Sequence, residues 1–238
     1  RCEEASAAAG ASAGLPREDL LRLAAATDRG QAGTAADRRR CEEAIAALEA
    51  RNPTEAPASS PLLEGAWRLV YATEDPTRCS PFFWAWRQSL AGVPDPSPIS
   101  RALLGTEELA DSIFAFTDNV PIKWVGLATQ RLSAGKLVNQ VVVGVFPTGE
   151  SKMTTTSRYS PDSTDPQTLL VTVEKTQVLG ASLAASFLDR IEFPSGELVG
   201  QDNAEVRMLV TYLDDGLRIV RDAQRPSACF VFSRTGDE

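Results

Sequence analysis

The stretch Gly65-Ala66-Trp67-Arg68-Leu69-Val70-Tyr71-Ala72-Thr73 decides how the rest of the chain is read. Trp67, Leu69 and Tyr71 fall on one parity and Arg68 and Val70 on the other, the period of two expected of a half-buried β-strand. Ahead of it lies Pro53 to Pro61, rich in Pro, Ala and Ser, and ahead of that the apolar residues recur at helical spacing instead. The change of period marks a boundary. The expected organisation is an Ala/Ser/Gly-rich leader at 1–14, a helical extension at 15–52, a linker at 53–61 and one β domain at 62–238.

Reading forward, strand-like runs follow at Asp111–Thr117, Ile122–Leu132, Lys136–Phe146, Lys152–Tyr159, Thr168–Val178, Glu205–Leu213, Leu217–Val220 and Cys229–Ser233. Turn residues such as Ala134-Gly135, Pro161-Asp162 and Asp215-Gly216 separate them. Only Ala181–Arg190 reads as a helix within this series, so a parallel βαβ sheet finds no support. Consecutive strands with short turns predict an antiparallel meander, and nine of them favour closure into a lipocalin-like β-barrel, which removes exposed edges. A sandwich is the alternative. Reading backward, Pro16 with Glu18 and Asp19 opens one helix. A second runs over Ala35–Arg51, with Ala44, Ile45 and Leu48 on one face and Arg38, Arg39, Glu42, Glu43 and Glu49 on the other. The fold class is therefore mainly β, an antiparallel barrel preceded by two N-terminal helices.

The 238 residues are 43% hydrophobic and 24% charged, enough apolar material for a full core. A net charge of −8 leaves no basic field for nucleic acid, and it disfavours a purely electrostatic hold on anionic lipid. No stretch is long and apolar enough for a membrane-spanning helix. The sequence starts at Arg1 rather than Met, as expected if a targeting segment has been removed or the chain trimmed.

The chain contains no histidine, which excludes Ser-His-Asp, Cys-His and His-based metal sites. Nucleotide-binding glycine loops and a G-x-S-x-G elbow are also absent. Cys2, Cys41, Cys79 and Cys229 are scattered, without zinc spacing, and read as reduced thiols. Of the paired carboxylates, Glu107/Glu108 would point to opposite strand faces, and Asp214-Asp215-Gly216 fits a hairpin turn. The reading assigns no catalytic residue, no metal and no cofactor.

Two sets of residues are candidates for binding. Trp67, Tyr71, Trp124 and Met208 are candidates for the lining of a barrel interior that accepts a hydrophobic molecule. Phe82, Phe83, Trp84 and Trp86, dense aromatics after Pro81, are candidates for contact with a membrane or a protein partner, core packing being the alternative. The run Lys152–Tyr159 is polar on both faces and reads as an exposed edge strand, or as a strand that turns hydroxyls into a cavity.

Several separated motifs agree with one family. Thr27-Asp28-Arg29-Gly30 precedes an Arg-rich helix that ends in Ala47-Leu48-Glu49-Ala50-Arg51-Asn52-Pro53. Leu62-Leu63-Glu64-Gly65-Ala66-Trp67-Arg68-Leu69-Val70-Tyr71 follows, and Thr211-Tyr212-Leu213-Asp214-Asp215-Gly216-Leu217-Arg218-Ile219-Val220-Arg221 with Phe230-Val231-Phe232 closes the chain. Together they resemble the plastid lipid-associated proteins (PAP/fibrillin, plastoglobulin), over about residues 15–234. Asp222 to Ser227 departs from that family's usual Gly-rich turn.

The resemblance implies a lipocalin-like barrel imported into plastids after loss of a transit peptide. It implies peripheral association with thylakoids or plastoglobules and lipids, quinones or carotenoids as cargo, without catalytic residues. Docking on a thylakoid protein complex, without a ligand, is the alternative. Asp214, Arg218 and Arg221 match the closing motif, with a turn and barrel-closing hydrogen bonds or ion pairs as their expected roles.

Overall fold

The computed structural model describes residues 16–91, 123–145, 149–180, 192–194 and 205–236. Helix α1 (Pro16–Ala26) starts on a proline, whose missing N–H costs nothing in a first turn, with Glu18 and Asp19 at the positive end of the helix dipole. Helix α2 (Ala35–Glu49) opens on a capping box: the Asp37 amide donates to Thr34 Oγ1 at 3.2 Å, and the Thr34 amide donates to Asp37 Oδ2 at 3.0 Å. The Thr34 hydroxyl, which donates to Asp37 Oδ2 at 2.7 Å, and then the Thr34 amide hold the Asp37 carboxyl below its ordinary value. Between the helices Asp28, Arg29 and Gly30 adopt left-handed backbone, with Gly30 at φ +92°. A Cβ there would fall 2.8 Å from the Ala72 carbonyl oxygen, so glycine is what lets this turn lie against the first strand.

That strand is β1 (Gly65–Ala72). After it come a 3-10 turn (Pro76–Cys79), α3 (Pro81–Ala91), β2 (Lys123–Ser133), β3 (Lys136–Val145), β4 (Gly149–Pro161), β5 (Thr168–Leu179), β6 (Glu192–Pro194), β7 (Glu205–Leu213), β8 (Leu217–Asp222) and β9 (Cys229–Thr235). Every pairing is antiparallel. The strand order β4-β3-β2-β1-β9-β8-β7-β5 closes on itself through β4–β5, leaving β6 attached to β5 outside the loop of pairings. Eight strands thus form a ringed, barrel-like sheet with the first and last strands side by side.

Eight of the nine expected strands are present at nearly the expected bounds, and the short β6 is additional. The ninth, Asp111–Thr117, and the expected helix Ala181–Arg190 lie outside the described residues. One reading is corrected: Lys152–Tyr159 is not an edge, because β4 is paired along its length with both β3 and β5. Its hydroxyl-bearing alternate residues are accommodated inside the ring rather than in solvent.

Two apolar cores result. The interior of the ring holds Trp67, Leu69, Leu132, Leu137, Val141, Val171, Met208, Phe230 and Phe232, joined by Cys79 and Trp84 from the segment after β1. The second core lies between the helices and the outer face of β1 and β7–β9, where Leu20, Ile45 and Leu48 meet Tyr71, Tyr212, Ile219 and Val231. Glu49 clamps Arg221 with two bonds, from Nε at 2.7 Å and Nη2 at 3.0 Å, and also accepts from Thr211 Oγ1 at 2.6 Å. Those bonds hold the Arg221 guanidinium above its ordinary value. Arg17 pairs with Asp214 at 2.9 Å, so both helices are tied to the β7–β8 hairpin.

A polar layer inside the ring and a groove outside it

Within the apolar interior one row of side chains is polar. Strand register sets Gln130 of β2 opposite Asn139 of β3, Asn139 opposite Thr155 of β4, and Thr155 opposite Thr176 of β5. All four are buried. Because side chains alternate across a strand, a polar residue at one inward parity in each of four neighbouring strands makes a continuous band across the lumen. Gln130 Nε2 donates to Asn139 Oδ1 at 3.1 Å and to the Cys79 carbonyl at 3.0 Å, and the Thr155 and Thr176 hydroxyls are 3.1 Å apart.

The segment from Pro76 into α3 reaches into this band. Ser80 Oγ donates to Thr155 Oγ1 at 3.0 Å, Cys79 Sγ lies 3.7 Å from Asn139 Oδ1, and Trp84 Nε1 donates to the Arg78 carbonyl at 2.7 Å. Burial pushes the Cys79 thiol up to about 12.

Arg218 of β8 completes the layer. Its side chain crosses the interior to Gln130 Oε1, three strands away round the ring. Its guanidinium carbon lies 5.0 Å from the Trp67 ring centre and 4.7 Å from that of Phe232. The residue is fully buried, and burial together with the charge of Arg234 pushes its pKa down to about 9. Among the described residues it has no carboxylate partner, and its Nε and Nη1, with Asn139 Nδ2 and Ser157 Oγ, have no hydrogen-bond partner. Buried polar groups are ordinarily satisfied, so these four atoms, with Ser157 one inward position along β4 from Thr155, mark this part of the interior as short of partners.

The four interior candidates do not share a surface. Trp67 and Met208 are in the ring's core, with Trp67 Nε1 donating to the Leu63 carbonyl at 3.0 Å. Tyr71 lies outside the ring beneath the helices. Trp124 is 44% exposed and stacks on its cross-strand partner Gly144, where an added Cβ would fall 2.0 Å from the indole. Of the aromatic segment, Trp84 is buried against Phe230, which removes it from surface contact. Phe83 is half-buried with Arg78 over its ring at 4.8 Å, Phe82 packs edge-on against it, and the side chain of Trp86 lies outside the described residues.

In the closing motif, Asp214 Oδ1 accepts from the amides of Gly216 and Leu217 at 2.8 and 2.6 Å, making the β7–β8 turn. Arg218 spans the interior, and Arg221 holds the helices. Gln130, Asn139, Thr155, Ser157 and Thr176 were not anticipated individually. Their signal is a polar residue at inward parity within otherwise apolar alternation.

A second feature is external. A groove of about 320 Å³ runs between α1 and the outer face of β1 and β2, walled by Leu21, Ala24, Ala25, Val70 and Leu127, with Arg29 and Arg68 among its lining. Arg29 Nη1 donates to the Gly126 carbonyl at 2.6 Å, fixing the turn after α1 to β2. Leu127, 59% exposed, and Trp124 lie on the same strand. Among the described residues no cluster of metal-ligating side chains is present, and no helix is long and apolar enough to cross a membrane.

These features define a class: a ringed antiparallel sheet with an apolar, partly polar interior and two helices packed on its outside. Residues 16–89, which comprise both helices, β1 and most of α3, match the PAP_fibrillin family model, the family that the sequence motifs resemble. No curated protein and no solved structure matches the chain.

Proposed function

We propose that this chain is a non-enzymatic plastid protein that holds a small hydrophobic molecule, a lipid or a quinone- or carotenoid-like compound, inside its ring, at the surface of thylakoids or plastoglobules. The observation that carries the reading is the polar layer: four unpartnered polar atoms sit within a lumen otherwise walled by apolar side chains. Apolar walls with a few convergent polar groups are the usual make-up of a small-molecule site. The segment from Pro76 into α3 reaches into the lumen through Cys79, Ser80 and Trp84, and its outward movement is the route we propose for ligand entry. The family match at residues 16–89 supports the lipid-associated part of this reading.

The test is to fold the full chain in the presence of a plastid lipid extract, purify it, and identify what remains by organic extraction and mass spectrometry. The expected result is one class of hydrophobic molecule retained in near-equimolar amount. A chain that retains nothing and exchanges with nothing added refutes the reading.

A second reading, docking on a membrane or a thylakoid complex without a ligand, is favoured by the exposed Trp124 and Leu127 beside the apolar groove. Trp124→Ser with Leu127→Ser then releases the protein from sedimented thylakoid membranes, whereas unchanged sedimentation counts against this surface.

A further inference from the structure

Arg218 has five N–H donors and uses them on a single acceptor, Gln130 Oε1. The chain has 32 acidic residues and a net charge of −8, yet among the described residues none of these carboxylates is paired with this buried cation. Like Arg218, the cation Arg234 lies over the Trp67 ring, at 4.2 Å, so the neighbouring charge there is of the same sign. Burying a charge without a counter-charge is strongly unfavourable, and a water molecule satisfies donors without neutralising anything. The other unpartnered atoms have the same sense: Asn139 Nδ2 only donates, and Ser157 Oγ can donate. Among the described residues the layer is therefore short of acceptors and of one negative charge.

We propose that this layer is a head-group site for an amphiphile whose apolar chain ends in a carboxylate, with Arg218 as its cation and Asn139 and Ser157 as supporting donors. The inference rests on the reading that the interior holds a hydrophobic molecule, and it specifies the chemistry of that molecule's polar end. Trp67 and Phe232 hold the guanidinium from its sides, so its position is set before any ligand arrives. Preorganised donors in a dry site bind an anion far better than the same groups in water. Leu69, Val171, Met208 and Phe230, in the same core, supply apolar wall for the chain of the ligand.

The probes are palmitate and hexadecanol, which share a chain and differ in head group. Binding to the delipidated full-length protein is followed by Trp fluorescence and by the ligand-induced rise in thermal midpoint. Palmitate is expected to bind at least about ten-fold tighter than hexadecanol, a difference of about 1.4 kcal/mol. In Arg218→Met the preference is expected to collapse to about unity, because hexadecanol binding persists while palmitate binding falls, and in Arg218→Lys to survive in part. Equal binding of the two probes by the unaltered chain overturns the head-group assignment and leaves the interior-carrier reading standing. An undiminished preference in Arg218→Met does the same. Binding of neither probe overturns the head-group assignment, while the carrier reading is decided separately by retention from the lipid extract. The comparison on the unaltered chain decides even if a variant fails to fold.

Discussion

Glu49→Ala tests whether the helices are part of the folding unit of the ring. In the folded protein the Glu49 carboxylate takes two bonds from Arg221 and one from Thr211, joining the last turn of α2 to β8 and β7. Hydrogen bonds to charged groups contribute about 1.5–3 kcal/mol when shielded and well under 1 kcal/mol when fully exposed. Here the two charged side chains are 22% and 20% exposed, an intermediate case.

Arg221 keeps its bond to the Pro226 carbonyl at 2.6 Å in the variant, so the loss is partial. The expected cost is about 2 kcal/mol for Glu49→Ala, with a Glu49/Arg221 coupling of about 1 kcal/mol in a double-mutant cycle. Urea unfolding followed by far-ultraviolet circular dichroism and by Trp fluorescence measures it. The two probes see helix and ring respectively, and they are expected to give one coincident transition with an unchanged slope. Coupling below about 0.3 kcal/mol, or a helical transition that precedes the fluorescence one, refutes the argument that this clamp makes one cooperative body.

Gly30→Ala is expected to cost about 2–3 kcal/mol, because the new Cβ must clear both the Tyr71 ring at 2.7 Å and the Ala72 carbonyl at 2.8 Å at a positive φ; thermal melts read this directly. Asp37 has a folded pKa below its unfolded one, so its share of stability is present above the unfolded value and is lost as the pH falls through the folded one; Asp37→Asn should flatten that part of an acid titration of stability. The Cys79 and Cys229 thiols, each pushed up to about 12 by burial, should resist alkylation in the native protein at neutral pH and react at once in urea; in mass-spectrometric mapping, ligand entry should expose Cys79 first, because it lies on the segment that fills the lumen.

Much of the ring was legible in the sequence because period-two alternation survives wherever one strand face is buried. Glu205–Leu213 shows it best, at the observed bounds, whereas Cys229–Ser233, buried on both faces, reads as a continuous apolar run and ends two residues short of β9. Alternation failed where a residue is inserted in a ladder. Trp67, Leu69 and Tyr71 share a parity, but register shifts between Leu69 and Tyr71, so Trp67 and Leu69 face the lumen while Tyr71 joins the helix-covered core.

A second shift between Val125 and Ala128 separates the solvent-facing Trp124 from the inward Gln130. A bulge leaves no mark in composition, and it moved two of the four interior candidates off the interior. The polar layer was hidden for another reason: a lone Gln or Asn inside a strand reads as a surface position until register shows that its neighbours on three other strands are polar too. The closing motif pointed to Arg218 and Arg221, but only the packing separates their roles, one across the lumen and one on the helices.

The seam between the first and last strands has a consequence for how the molecule comes into being. β9 lies between β1 and β8, and its Phe230 and Phe232 fill the centre of the lumen. Until residues 229–235 are available, β1 is paired on the β2 side alone and the ring has no means of closing. Pairings this distant along the chain make closure a late and slow event, whatever hairpins form earlier. A chain emerging amino end first, from a ribosome or through a narrow pore, therefore completes its fold only after its final strand is free, and until then it depends on whatever shields its open edges.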